Sequence, residues 1–187
     1  MIAKVCDNVW KVRANSNLYF LDFKEKILID TGQRKHHAFV EQLLSKVADL
    51  ERIKKEVFTH LHYDHIGNFD LFKNAEFFAG KDEIDFFMKN PTGAVLDDDM
   101  AKKLNVKLKP AEELKLGELE IINTPGHTSG SICIWYEKER VLFTGDTLFS
   151  KTIGRTDFAN SSEEALRESS MKLVDYNFRI LCPGHDY

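Results

Sequence analysis

Residues 59–67 carry an unusually dense set of side chains that bind metal ions in proteins. The segment reads Thr-His-Leu-His-Tyr-Asp-His-Ile-Gly, which places His60, His62, Asp64 and His65 within six residues. Packing requirements alone rarely produce such a cluster, because histidine and aspartate are costly to bury without a partner. We therefore interpret this segment as half of a two-metal site.

The chain just before this cluster indicates where its side chains point. Residues 56–59 are β-branched and aromatic enough to predict a buried strand. If the extended backbone continues, His60 and His62 project to one side, because side chains alternate along a strand. Asp64 and His65 can face a second ion only if the chain leaves the strand, which the loop-like residues there permit. The cluster is therefore predicted to serve two neighbouring ions.

Three more candidate ligands lie at turn-rich junctions that follow apolar stretches. They occur in Thr-Pro-Gly-His-Thr, Thr-Gly-Asp-Thr and Pro-Gly-His-Asp, and are His127, Asp146 and His185. The combined set offers nitrogen and oxygen ligands without a thiolate, which suits zinc, non-haem iron or manganese and does not rank them. The two other histidines, His36 and His37, are expected to be solvated residues at the start of a helix.

The order of these residues resembles the metallo-β-lactamase superfamily, whose signature His-x-His-x-Asp-His is followed by a single His, a bridging Asp and a final His. All seven ligand positions are filled in this chain. The resemblance extends to residues 28–32 and 144–149. It implies that a first metal is bound by His60, His62 and His127. A second metal would be bound by Asp64, His65 and His185, and Asp146 would bridge the two.

Within that superfamily the chain looks most like the glyoxalase II-like hydrolases. The resemblance rests on Gly-Asp-Thr-Leu-Phe at 145–149 followed by Gly-Arg at 154–155, and on Gly-His-Asp-Tyr at 184–187. In that branch the basic residue after the glycine and the tyrosine that follows the last histidine contact the thiol carrier of a thioester. The resemblance therefore implies that Arg155 and Tyr187 bind the substrate.

Two departures from glyoxalase II bear on the substrate. Asp157 stands where that enzyme usually has an aromatic residue, and the enzyme continues into a helical domain that completes its glutathione site. At 187 residues and 43% hydrophobic, this chain can bury one sizeable core. We expect residues 1–187 to form a single metallo-β-lactamase-like domain, without the C-terminal helical domain of glyoxalase II.

Composition restricts the partners and the compartment. The net charge is −4 with well-mixed charges, so the sequence shows no footprint for a nucleic acid. Three widely spaced cysteines indicate reduced thiols rather than a disulfide framework. No segment approaches the roughly 20 apolar residues that span a bilayer. We expect a cytoplasmic protein with a small-molecule substrate and no membrane or nucleic-acid partner; the sequence does not indicate its oligomeric state.

Hydrophobic periodicity predicts an α/β chain. Helices are expected at 36–48, 81–88 and 161–174, and strands at 9–12, 18–23, 26–30, 76–79, 118–123, 131–136, 140–144 and 178–182. Residues 63–68 and 90–99 are expected to be loops, the second a surface excursion near the site. The family resemblance adds a four-layer αβ/βα sandwich, in which two mixed sheets carry helices on their outer faces and the ligands lie on loops along one edge.

This set of residues predicts a metal-dependent hydrolase. Two divalent ions facing two carboxylates leave a positive site for an electron-rich carbonyl, and metal binding lowers the pKa of water to about 7. We predict a metal-bridging hydroxide as nucleophile, oriented by Asp64 and Asp146. A thioester is the first substrate class, because a thiol with a pKa of about 8.5 leaves without a general acid, whereas an amide nitrogen needs a proton.

Other activities use nearly the same residues. A persulfide (sulfur) dioxygenase with one iron would consume oxygen, and a lactone hydrolase would open a cyclic ester. RNA cleavage is disfavoured because the chain shows no large basic surface. A non-enzymatic metal-binding or redox module is the least favoured alternative, because inactive proteins of this type lose ligands and this ligand set is complete.

Overall fold

Two β-sheets form the centre of the fold in a computed structural model that describes residues 1–115 and 117–186. The strands of these residues are β1 (Ile2–Cys6), β2 (Val9–Ala14), β3 (Ser16–Asp22), β4 (Lys26–Ile29), β5 (Ile53–Val57), β6 (Glu76–Ala79), β7 (Leu108–Pro110), β8 (Leu119–Asn123), β9 (Ile132–Tyr136), β10 (Val141–Gly145) and β11 (Ile180–Pro183). The α-helices are α1 (His37–Leu44), α2 (Tyr63–Ile66), α3 (Lys81–Lys89), α4 (Pro91–Val95), α5 (Asp98–Lys103) and α6 (Glu163–Leu173).

Both sheets mix parallel and antiparallel pairs. The larger sheet has the order β1-β2-β3-β4-β5-β6-β7, antiparallel up to β4 and parallel from β4 to β7. The smaller sheet has the order β11-β10-β9-β8, in which β10 and β11 are parallel and the other pairs are antiparallel. Parallel neighbours end at the same edge of a sheet, so the loops that follow β10 and β11 emerge side by side.

Hydrophobic clusters lie between the sheets and on their outer faces. In the central cluster Tyr19 of the larger sheet meets Phe143 of the smaller one, with ring centroids 5.1 Å apart. On the outside, Leu44 of α1 packs in one cluster with the larger sheet and Leu173 of α6 packs in another with the smaller sheet. Each such side chain contributes about 1.5–3 kcal/mol when fully buried. The layers are helix, sheet, sheet and helix, which confirms the predicted αβ/βα arrangement.

The predicted elements occur with shifted ends. The helix expected at 36–48 covers only His37–Leu44, because a run of turns follows it. The strand expected at 56–59 is Ile53–Val57, so extended structure stops before the histidines. Strands β1 and β7 were not expected. The helix expected at 161–174 is capped by the side chain of Ser162, which accepts a hydrogen bond from the Ala165 backbone N–H.

The prediction of a loop at 90–99 is wrong, because α4 and α5 occupy most of this stretch. Asn90 caps α4 by accepting from the Gly93 N–H at 3.0 Å, and Asp97 caps α5 by accepting from the Met100 N–H at 2.8 Å. Leu96 joins the two helices with a positive φ of 61°. The loop expected at 63–68 is likewise replaced in part by the single helical turn α2. Of the helices in the described residues, none is long and apolar enough to cross a membrane.

Candidate metal centre

The predicted ligands follow strands and converge on one edge of the sandwich. The cluster at 60–65 follows β5, and the three other ligands follow β8, β10 and β11. The structure brings their ligating atoms into three groups whose members lie within 4.8 Å of one another. These groups are His60, His62 and His127; Asp64, His65 and His185; and His60, His65 and Asp146.

The first group is three buried imidazoles. The ring centroids of His60 and His62 are 4.5 Å apart, and each lies 4.8 Å from that of His127. His127 Nδ1 donates to the Arg155 carbonyl oxygen at 2.8 Å, so its Nε2 carries a lone pair into the cluster, 3.1 Å from His62 Nδ1. In the described part of the chain, no hydrogen-bond partner faces the buried His60 Nε2.

The second group combines two imidazoles with a carboxylate. His185 Nε2 lies 3.2 Å from Asp64 Oδ2. Asp146 stands between the two groups, with Oδ1 3.4 Å from His65 Nε2, and Oδ2 3.5 Å from His185 Nε2 and 3.7 Å from His127 Nε2. A carboxylate in this position can contribute one oxygen to each of two cations.

This donor set fits divalent metal ions. An unsatisfied buried donor or acceptor costs about 1–3 kcal/mol, and a cation among these lone pairs would satisfy them together. The chain segments that carry Asp146 and His185 also lie close together. Any side chain at Gly184 would collide with the Asp146 carboxylate, because that carboxylate packs directly against the glycine backbone before His185.

The electrostatics separate the two groups. Burial lowers the pKa of His60 well below its usual value and that of His62 to about 3, so both are neutral, as metal ligation requires. Burial also lowers the pKa of His65, but Asp146, Asp30 and Asp64 outweigh it and raise this pKa well above its ordinary value. Burial raises the pKa of Asp146, but neighbouring imidazoles, above all His65, lower it by more, so the net shift is a lowering.

A carboxylate outside the predicted set orients His65. Asp30 Oδ2 lies 2.9 Å from His65 Nδ1 and accepts from the Thr59 hydroxyl at 2.8 Å, while Oδ1 accepts from the Thr59 N–H at 2.8 Å. Asp30 adopts a positive φ of 56°, which is uncommon for a residue other than glycine. It follows β4 in the Leu-Ile-Asp-Thr-Gly segment, and only the family resemblance of that segment drew attention to it.

The cluster opens into a cavity of about 410 Å³. Beside the ligands, this cavity is lined by residues that include Arg13, Tyr63, Leu96, Arg155 and Phe158. Arg13 is an exposed residue of β2, and nothing in its local sequence pointed to the site. Leu96 confirms that the excursion around residues 90–99 lies near the site, although it is helical rather than a loop.

The predicted substrate contact Arg155 lies at the cavity. Its side chain pairs with Asp157 through Nε–Oδ1 and Nη2–Oδ2 distances of 2.6 and 2.5 Å, and its guanidinium lies 4.9 Å from the ring of Phe158. That ring in turn packs 4.7 Å from His62. An aromatic ring therefore lies against the first metal group, one position after Asp157.

Three predicted residues remain, one substrate contact and two histidines. Tyr187, the second predicted substrate contact, is outside the described residues. His36 and His37 are half-buried at the start of α1, and His37 Nε2 lies 3.7 Å from Asp70 Oδ1. Neither belongs to the groups that could hold a metal ion among the described residues.

Relatives of this chain carry names that agree with this site. A probable metallo-hydrolase of Methanocaldococcus jannaschii is 34% identical over 186 residues, which cover 91% of this chain and 87% of the relative. The cytoplasmic isozyme of hydroxyacylglutathione hydrolase from Saccharomyces cerevisiae is 35% identical over 164 residues. These cover 78% of this chain but only 56% of the yeast enzyme.

Solved structures and the family match extend the comparison over most of the chain. The B3 metallo-β-lactamase BLEG-1 superposes with a TM-score of 0.71 at 26% identity, covering 100% of this chain and 92% of its own. TTHA1623 in a di-iron-bound form gives a TM-score of 0.73 at 22% identity, covering 95% and 91%. Residues 12–185 match the model of the metallo-β-lactamase superfamily. The chain therefore belongs to the metallo-β-lactamase superfamily of metallo-hydrolases, in a branch similar to glyoxalase II.

Proposed function

We propose that this protein is a two-metal hydrolase that cleaves thioesters. The observation that carries the proposal is the pair of ligand groups joined by Asp146, whose carboxylate lies within 3.7 Å of imidazole nitrogens from both groups. The first ion would be held by His60, His62 and His127, the second by Asp64, His65 and His185, and Asp146 would contact both.

Zinc is the proposed metal, and the same donors also accept iron or manganese. The di-iron form of TTHA1623 supports iron as the second candidate. When bound, a metal pair supplies Lewis acidity and lowers the pKa of a bound water to about 7. Asp64 and Asp146 would orient the reacting water through their carboxylate oxygens, and the buried imidazoles would hold the ions.

The cavity supports a thioester rather than an amide. Asp186 lines the cavity. Burial raises the pKa of this carboxyl, but its ion pairs with Lys11 at 2.5 Å and Arg13 at 3.2 Å help to lower that pKa below its usual value. Asp186 is therefore ionised at neutral pH and cannot protonate a leaving group. A thiolate leaves without that proton, whereas an amine does not. The yeast hydroxyacylglutathione hydrolase supports the same substrate class.

Arg13 favours a substrate that carries an anionic group. Lys11 and Arg13 both pair with Asp186, so two cationic side chains share this one carboxylate beside the cavity. Arg155 lies on Phe158 at the same cavity, and Tyr187 follows Asp186 in the sequence. We propose Arg13, Arg155 and Tyr187 as substrate contacts, with Arg13 binding a carboxylate.

We also infer that residues 1–187 act as one domain in the cytoplasm. The four-layer packing supports the first inference, because the central cluster combines side chains of both sheets. The cytoplasmic isozyme among the relatives supports the second.

The deciding experiment is an assay panel on zinc-loaded and iron-loaded protein. The substrates are a hydroxyacylglutathione thioester, a coenzyme A thioester, a lactone and a persulfide. We expect thioester hydrolysis to be fastest, and we expect His62→Ala and Asp146→Ala to abolish it in folded protein. Oxygen consumption with the persulfide, or lactone opening, without thioester cleavage would contradict the proposal.

A further inference from the structure

A fully buried carboxylate joins the two loops that carry the first metal group. Glu83 lies on α3 with a relative exposure of 0%. Its Oε1 accepts from the Leu61 N–H at 3.1 Å, and its Oε2 accepts from the Gly130 N–H at 3.2 Å. Leu61 lies between His60 and His62, and Gly130 is the third residue after His127.

The packing around this carboxylate leaves little room for either loop to move. A Cβ atom on Gly130 would overlap the backbone of Glu83, and a Cβ atom on Gly80 would overlap the carbonyl oxygen of Gly130. The loop after His127 therefore lies directly on the first turn of α3. Only glycine permits this approach, which brings the Gly130 N–H to the carboxylate.

The environment explains why the contact is costly to disturb. Burial raises the pKa of Glu83, and hydrogen bonds from Thr128, Leu61 and Gly130 oppose that shift. A buried carboxylate is tolerated only where donors satisfy it, and removing a donor or an acceptor leaves an unsatisfied group in a medium of low dielectric constant. Each loop thus stabilises the position of the other through one shared group.

We propose that Glu83 is a positioning residue that sets the spacing of His60, His62 and His127 before any metal binds. The inference rests on the proposed metal centre. Neither oxygen of Glu83 is needed as a ligand, because the carboxylate acts through the backbone amides of Leu61 and Gly130 and the side chain of Thr128. Groups that orient ligands from behind in this way typically contribute about 10–100-fold to metal affinity.

The test is Glu83→Gln, with Glu112→Gln as the matched control. Glutamine keeps one acceptor but turns an N–H₂ group toward the second backbone N–H, so one loop loses its contact. Glu112 accepts from the Lys81 N–H at 3.0 and 3.2 Å, so it caps the same helix from an exposed position away from the ligands.

Two measurements test this proposal. They are the zinc affinity, obtained by chelator competition, and the absorption spectrum of the cobalt-loaded protein. We expect Glu83→Gln to bind zinc about 10–100-fold more weakly and to show an altered cobalt spectrum while remaining folded, and Glu112→Gln to match the wild type. Native affinity and spectrum in folded Glu83→Gln, or an equal loss in both variants, would overturn the inference. Failure of the wild type to bind metal would instead overturn the proposed function.

Amide hydrogen exchange in the metal-free wild type decides the matter if Glu83→Gln does not fold. The Leu61 and Gly130 amides should both be strongly protected and should open together, because they donate to one carboxylate. Fast exchange at either amide, or protection that differs widely between them, would contradict a shared contact.

Discussion

Asp30 Oδ2 lies 2.9 Å from Nδ1 of His65, so a carboxylate just after β4 orients a candidate metal ligand on α2. The same carboxylate accepts from both the backbone and the hydroxyl of Thr59. This contact fixes the ring of His65 with its Nε2 toward Asp146. Carboxylate, imidazole and metal in a row is an arrangement that raises the basicity of the ligand.

The first prediction concerns this contact. In Asp30→Asn the amide cannot accept from Thr59 and from His65 as the carboxylate does, so the ring loses its fixed orientation. We expect metal affinity to fall by about 10–100-fold, measured by chelator competition. Asp70→Asn, which changes an exposed carboxylate paired with Arg34 at 2.5 Å, is the control and should bind metal normally. Equal affinities in the two variants would show that the contact does not orient the ligand.

The second prediction concerns acidic pH. Burial lowers the pKa of His65, but Asp146, Asp30 and Asp64 outweigh burial and raise this pKa well above its usual value. Burial lowers the pKa of His62 to about 3. A proton therefore competes with metal for His65 as the pH falls, while His62 stays neutral. We expect activity to decline toward a pH of about 6, with the second group losing its metal before the first.

Metal content measured at each pH checks this order. Added zinc should move the acidic decline to lower pH, because metal and proton compete for the same nitrogen. A decline that excess zinc leaves unchanged would contradict the competition.

The third prediction concerns a buried carboxyl away from the cavity. Glu56 of β5 has a relative exposure of 0%, and neither of its oxygens has a hydrogen-bond partner in the described residues. Burial, followed by Asp30 and Asp70, raises its pKa well above 4.5. The folded protein thus binds this proton more tightly than the unfolded chain does, and the free energy of unfolding falls as pH rises from 4.5 through the folded-state pKa.

Glu56→Gln removes that pH dependence, because the amide stays neutral. We expect the variant to gain stability over the wild type as the pH is raised toward 8, by about 1–3 kcal/mol, and to lose the advantage near pH 4.5. Denaturant unfolding at several pH values measures it, with the exposed Glu164→Gln as control. A difference that does not grow with pH would show that Glu56 does not titrate in this way.

The fourth prediction concerns substrate charge. Arg13 lines the cavity and lies 3.2 Å from Asp186. We expect Arg13→Ala to raise KM for a carboxylate-bearing thioester by about tenfold, with a smaller effect on kcat and little effect with an uncharged thioester. Arg167→Ala is the control, because Arg167 forms a surface ion pair with Glu163 on α6. Equal losses for charged and uncharged thioesters would rule out a carboxylate contact.

Local sequence patterns predicted the ligand cluster because its members are close in the chain. The four ligands at 60–65 are visible as a motif, and the three others follow apolar runs that read as strands. Which of them face one another was implied by family resemblance, since spacing along the chain does not determine how strand ends meet in space. The order of the strands in the sheets supplies that information.

The supporting residues could not be predicted in the same way. Arg13, Asp30 and Glu83 come from three distant elements, and each reads locally as an ordinary polar position. Helices α4 and α5 were missed for a different reason. Asn90 before a proline, and Asp97 before two more acidic residues, are helix-start signals inside a stretch that is predicted from the sequence to be a surface loop.

The most direct test of the account is anomalous diffraction from crystals soaked in zinc, together with the metal content of the purified protein. The account predicts two ions per chain, one among His60, His62 and His127 and one among Asp64, His65 and His185, with Asp146 contacting both. Crystals that show no anomalous signal between these side chains after soaking would contradict it.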